Sequence, residues 1–163
     1  KINKHNYSLY NTLLHLSRNL YFYNKIKLKD TFETRVYLIF FHFSIMLIIF
    51  KNKNINFSQK NYDDLFHCIE NDLRELGFGD VSVNKKMKEL NKILYDILLK
   101  INKSDNAFTI NEKLVLKYFD YLKENSNSDK YGLFDEYFTK FYHFCFELQP
   151  KTMIKDALKF EVI

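Results

Sequence analysis

Turn-forming and cross-linking residues are scarce in this chain of 163 residues, which holds 3 Gly, 1 Pro, 2 Cys and no Trp. A β-sandwich or barrel needs a Gly- or Pro-bearing turn every ~8–12 residues, so this composition all but excludes both. Cys68 and Cys145 stand in different segments and form neither a disulfide framework nor a CxxC pair, which favours a reducing compartment. Glu-x-x-His, the ligand pattern of helical di-iron sites, is absent. Asp64 with His67 is a single approach to it, and His67, Cys68 and Glu70 lack partner ligands elsewhere. Gly77 and Gly79 make a GxG without a third Gly or a GK[ST], so no phosphate cradle is expected. No cofactor, metal or catalytic site is read from the sequence.

What remains is helical. The chain is 47% hydrophobic and 18% aromatic, with 17 Phe and 12 Tyr to fill a core without disulfides or a structural metal. The length fits one domain covering 1–163. Of 25 cations 22 are Lys, and Asn is also abundant, as expected of AT-rich coding DNA, so the formal charge of +5 says little about partners. No aromatic-and-basic RNA-binding pattern is present, and sequence-specific nucleic-acid recognition is not expected. The three arginines, Arg18, Arg35 and Arg74, stand out, because a planar five-donor fork does what an ammonium cannot. The first residue is Lys1 rather than Met, which reads as the remnant of a longer precursor or of a trimmed chain and leaves room for a cleaved targeting segment.

Hydrophobic periodicity predicts six or seven helices. The first spans about Tyr7 to Tyr23. The second is capped by Asp30 or Thr31 and contains the apolar run Val36 to Phe50, broken only by His42 and Ser44. That run covers about 22 Å, short of a ~30 Å hydrocarbon core, and reads as the buried centre of a bundle rather than a membrane span. A third helix runs from Ser58 to Leu76 with an apolar stripe ending in Leu73 and Leu76, closed by Gly77. A fourth, capped by Asp80 or Ser82, carries Val83, Met87, Leu90, Leu94, Ile97 and Ile101 at heptad-like steps, with Lys85, Lys88 and Lys92 on the opposite face. These lysines fit a solvated face, or one meeting ribosomal RNA or anionic lipid. A fifth helix is expected over 111–125, then the polar ENSNSDK connection, an aromatic helix from about Tyr131 to Leu148, a break at Pro150 and a short last helix ending near Lys159.

His42 lies seven residues from Arg35 and so on roughly the same helix face. It reads as a core histidine donating to a backbone carbonyl, with a buried polar cluster as the alternative. His143 and Cys145 diverge by about 200° on a helix and cannot pair. His5 and His15 carry no signal.

Three patches resemble the ubiquinol-cytochrome c chaperone family of complex III assembly factors. Leu73 to Lys88, LRELGFGDVSVNKKMK, is similar to that family's LREMGVGDLxVGKxVK and includes Arg74, Glu75, Gly77, Gly79 and Asp80. Ser17, Arg18, Phe22 and Tyr23 resemble its (A/S)R…FY element. Asp30, Thr31, Phe32 and Arg35, followed by Ile39 and His42, resemble its DTxxGR…I..H element. Lys29 stands where the family often has Pro, and Thr34 and Asn84 replace glycines. The resemblance spans about Tyr7 to Tyr95 and implies a non-enzymatic, all-α assembly factor. Such a factor binds newly made cytochrome b or another complex III component, with a small helical partner protein, at the matrix face of the mitochondrial inner membrane or at a bacterial inner membrane. A ribosome or inner-membrane surface contact fits that setting. The alternative is a permanent structural subunit of complex III or of a mitochondrial ribosome. On this reading Arg35 and Arg74 are structural and pair with Asp30, Asp72 or Asp80.

Overall fold

A computed structural model describes residues 8–104, 107–123 and 129–162. His5 and residues 124–128 of the ENSNSDK connection lie outside them. The described residues form seven α-helices and no strand, in one all-α bundle. They are α1 (Leu9–Ser17), α2 (Phe32–Asn52), α3 (Gln59–Glu75), α4 (Asp80–Lys100), α5 (Glu112–Tyr118), α6 (Lys130–Phe146) and α7 (Met153–Asp156).

Local chemistry sets most of the ends. Ser8, Thr31 and Ser58 cap α1, α2 and α3 by accepting the N–H three residues on. The Thr31 hydroxyl also donates to Thr34 Oγ1 at 3.1 Å, so threonine in place of the family's glycine ties the first turn of α2 together. Helix α3 stops at a left-handed Gly77 with φ +99°: the Gly77 N–H donates to the Arg74 carbonyl and the Phe78 N–H to the Leu73 carbonyl. Asn54, at φ 57°, closes α2 in the same way, with the Ile55 N–H donating to the Phe50 carbonyl.

Four expectations need correction. The first helix ends at Ser17, not Tyr23, because the Asn19 side chain takes the Tyr21 N–H at 2.9 Å and starts a separate π-turn, Tyr21–Lys25, that drives Phe22 into the core. The fifth helix ends at Tyr118, because Phe119 leaves helical geometry to bury its ring against Phe41 and Phe134. Neither Asp80 nor Ser82 caps α4: the cap is Gly79, with Asp80 as the first helical residue. Leu76 is 57% exposed, since it lies beyond the last turn of α3 and off its apolar stripe.

Helix α2 is the axis of the bundle, flanked by α1, α4 and α6, with α3 packed on α1 and α4. Among the described residues it is the helix long and apolar enough to cross a membrane, yet 67% of its most apolar stretch is buried in the bundle, as in a core helix. The aromatic face of α6 (Phe134, Tyr137, Phe138, Phe141) is consumed in covering α2. At the centre, His42 is fully buried and edged by Phe22, Tyr137, Phe138 and Phe141. Its Nδ1 lies 2.7 Å from the Leu38 carbonyl, which only accepts, so Nδ1 carries the proton and Nε2 accepts from the Tyr137 hydroxyl at 2.8 Å. Burial lowers the His42 pKa to about 3, and the bond to the Leu38 carbonyl opposes this only in part.

Gly77→Ala should lower stability by about 1 kcal/mol, or ~2–4 °C in Tm, through backbone conformation alone, because no atom lies within 4 Å of the added Cβ. Gly77→Asn should recover part of the loss, and Gly79→Ala, at φ −79°, should cost less, about 0.5 kcal/mol, the loss at a helix N-cap when Ala replaces Gly. Thermal melts of the three variants check this.

The folded pKa of His42 lies below its unfolded value of about 6.5, so its contribution is complete above pH 6.5 and is lost as pH falls toward 3. The slope is about 1.4 kcal/mol per pH unit. Melts between pH 7 and 5 should show stability falling ever more steeply and approaching this slope near pH 5 in the native chain, and should lack this fall in His42→Gln.

Candidate functional site

The first two turns of α2 are only partly covered. Phe32, Arg35 and Tyr37 are half-buried, whereas every residue from Leu38 to Met46 is buried. Two concavities flank this head and share Phe32, Val36 and Leu76. One of about 320 Å³ lies between α1, α2 and α3, and one of about 310 Å³ lies between α2, α3 and α4. A smaller hollow beside Arg18, Leu20, Tyr23, Asp30 and Arg35 continues the first. Together they form one groove, floored by Phe32, Val36 and Ile39, with Leu76 on the ridge between its two lobes.

Charges of both signs line the first lobe. Arg18 and Arg35 face Asp72 and Glu75. Asp72 is taken by the Tyr10 hydroxyl at 2.5 Å, which links α1 to α3. Burial, and then the Asp72 carboxylate, push the Tyr10 phenol far above its ordinary pKa, so it stays a donor. Arg35 Nε lies 3.5 Å from Asp30 Oδ1 in a loose ion pair without a well-formed hydrogen bond. That carboxylate is 70% exposed, so the pair adds little stability, and the Arg35 fork lies along the groove wall.

The sequence patches divide between this groove and its supports. Arg18, Tyr23, Asp30, Phe32, Arg35, Glu75, Leu76 and Phe78 line it. Thr31 caps the helix that floors it. Phe22 and His42 are core residues beneath it. Arg74 points outward to bridge Glu70 and Asp80, clasping the α3–α4 turn that Gly77 and Gly79 shape. Lys85, Lys88 and Lys92 lie exposed on α4, outside the groove. Asn84 is an exposed helical residue of α4, so its tolerance of left-handed geometry is not what lets it replace glycine.

Tyr10 and Val36 were missed as groove residues, and Leu76 was assigned to the core. A single sign pointed to Leu76: an apolar residue next to a helix-closing glycine sits past the stripe. Nothing in local spacing announces Tyr10, whose partner is 62 positions away.

Among the described residues no three His, Cys, Asp or Glu side chains could hold a metal ion. Burial pushes the Cys145 thiol far above its ordinary pKa. Cys68 is also raised, by burial first and then by Asp72 and Asp64. Neither thiol has the electropositive surroundings of a nucleophile. A groove with an apolar floor and several charged walls, on a helical bundle, has a shape that can receive a polypeptide segment.

The family model of the ubiquinol-cytochrome C chaperone matches residues 24–116, and the chain belongs to that family. Membership implies a non-enzymatic chaperone role in complex III assembly, at a mitochondrial or bacterial membrane. The match includes the patches at Asp30 to His42 and at Leu73 to Lys88, while Ser17, Arg18, Phe22 and Tyr23 precede it. No curated protein and no solved structure matches the chain.

Tyr10→Phe should lower stability by about 1–2 kcal/mol, because it leaves the half-buried Asp72 carboxylate without its donor. The midpoint of urea unfolding checks this, with an unchanged m-value expected.

Proposed function

We propose that this protein binds newly made cytochrome b during complex III biogenesis, and that the groove at the head of α2 receives an exposed apolar segment of that client. One observation carries the reading: Arg18 and Tyr23, then Asp30, Phe32 and Arg35, and, some forty positions further on, Glu75, Leu76 and Phe78, all line a single groove. Conformational and capping residues around them (Thr31, Arg74, Gly77, Gly79, Asp80) hold the groove's rims. Cytochrome b is built of transmembrane helices whose apolar faces lack partners before assembly. Phe32, Val36 and Leu76 suit such a face, and the fork of Arg35 suits a carbonyl or carboxylate at the end of a client helix. The matrix face of the mitochondrial inner membrane, or its bacterial counterpart, is where such a client is met.

Leu76→Asp is the sharpest test, because Leu76 is 57% exposed and surface changes cost within about 0.5 kcal/mol. The variant should melt near the native temperature, yet lower spectroscopic cytochrome b and complex III activity toward the level of cells depleted of the protein. Depletion that leaves both unchanged overturns the proposal. Stoichiometric co-migration with mature complex III would assign a structural subunit instead.

A further inference from the structure

Helix α4 carries two seams of the same spacing. The inner one, from Val83 to Ile101, packs in the bundle and is buried apart from half-buried Met87. Shifted by two residues, Val81, Lys85, Lys88, Lys92, Tyr95 and Leu99 recur at steps of 4, 3, 4, 3 and 4, and all six are exposed. Val81 is 84% exposed, Leu99 79% and Tyr95 53%. The line runs straight along the helix for about 27 Å. None of the six lines the groove, and among the described residues Lys85, Lys88 and Lys92 make no ion pair.

We infer that this outer face of α4 docks one helix of a partner protein, a helix with carboxylates along its middle and apolar side chains at both ends. Alternating steps of 3 and 4 keep a line of side chains facing a second helix at a shallow crossing angle, which is what knobs-into-holes packing requires. A merely solvated face gives no reason for Val81 and Leu99 to share one line with the lysines, and Tyr95, which lies beside Tyr62 of α3, stands on that line as well. Three ammonium groups within two turns repel one another, and a row of carboxylates relieves that repulsion and fixes register. The order of the residues argues against a bilayer. A helix lying in a membrane surface buries its apolar line deepest and lets lysines snorkel from the edges, whereas here the lysines hold the middle of the line. RNA would leave Val81 and Leu99 unexplained, and this face offers no arginine for phosphate or base.

The seam is also held rigid. Asp96, on its flank, bridges Lys100 to Lys117 of α5 at 2.8 Å each and accepts from the Tyr118 hydroxyl at 2.5 Å. This ties the C-terminal half of α4 to α5 before any partner arrives, so little ordering is left to docking. The inference concerns a different surface from the groove and stands without it.

The probe is a synthetic helical peptide of the length of α4, with Leu at the outer positions of one 3-4 line and Glu at the three central ones. It is titrated into the isotope-labelled full chain. Amide shifts should follow the line from Val81 to Leu99 and spare the groove. Binding should weaken with salt, and by tenfold or more in Lys85→Glu/Lys88→Glu/Lys92→Glu, a triple variant at exposed sites that should keep the native melt. A second peptide, with Lys in place of Glu, should bind that variant and not the native chain. Absent peptide binding, binding indifferent to the charge reversal, or shifts confined to groove residues would overturn the inference. Tighter lysine-dependent binding to vesicles of equimolar phosphatidylcholine and phosphatidylglycerol, or to polyuridine, would overturn it as well.

Discussion

Everything in this bundle follows from the need to cover α2 on nearly all sides. From Leu38 to Met46 it presents apolar residues, a serine and a histidine all round its circumference, and each of them is buried. An ordinary surface helix needs partners on one stripe, whereas this one needs them on every side. Helices α1, α4 and α6 supply them, and the π-turn brings Phe22 to fill the space between His42 and α6. The one strongly polar ring at the centre is tolerated because both its nitrogens are satisfied, one within its own helix and one by Tyr137.

The groove is the place where that covering stops. Helix α1 ends at Ser17 and α3 ends at Leu73 to Leu76, so the head of α2 emerges with Phe32, Arg35 and Tyr37 only half-covered. Two glycines and an arginine clasp then aim the α3–α4 turn so that Leu76 and Phe78 stand above it. The residues that resemble the family signature are therefore of three kinds: those that touch the groove, those whose backbone or pairing sets where its walls end, and Phe22 and His42, which lie in the core beneath it. A chaperone needs a surface that is apolar without being a core. On the proposed reading, incomplete burial of one end of a core helix supplies it, with Arg35 half-covered at its wall.

Periodicity and capping residues made much of this legible. The buried α2, the heptad seam of α4 and the caps at Thr31 and Ser58 are local patterns, and the structure agrees with each. The scarcity of Gly and Arg was informative because rare residues in a biased composition mark places with a specific demand, as the left-handed Gly77 does. The misses share a cause. Phe119 breaks its helix for a tertiary contact, Tyr10 finds Asp72 across the bundle, and Leu76 is exposed because of where a helix ends rather than what it contains. Each depends on a partner or an end that no window of sequence includes. The aromatic α6 is likewise explained across the bundle, since its rings cover α2.

The most direct test places a photo-crosslinking side chain at Leu76, on the ridge of the groove, and as a control at Ile55, an exposed apolar position just beyond the far end of α2. After pulse-labelling of newly made membrane proteins, crosslinking from Leu76 should give an adduct containing cytochrome b, and crosslinking from Ile55 should not. An adduct of equal yield from both positions, or from Ile55 alone, would contradict the assignment of the groove as the client site.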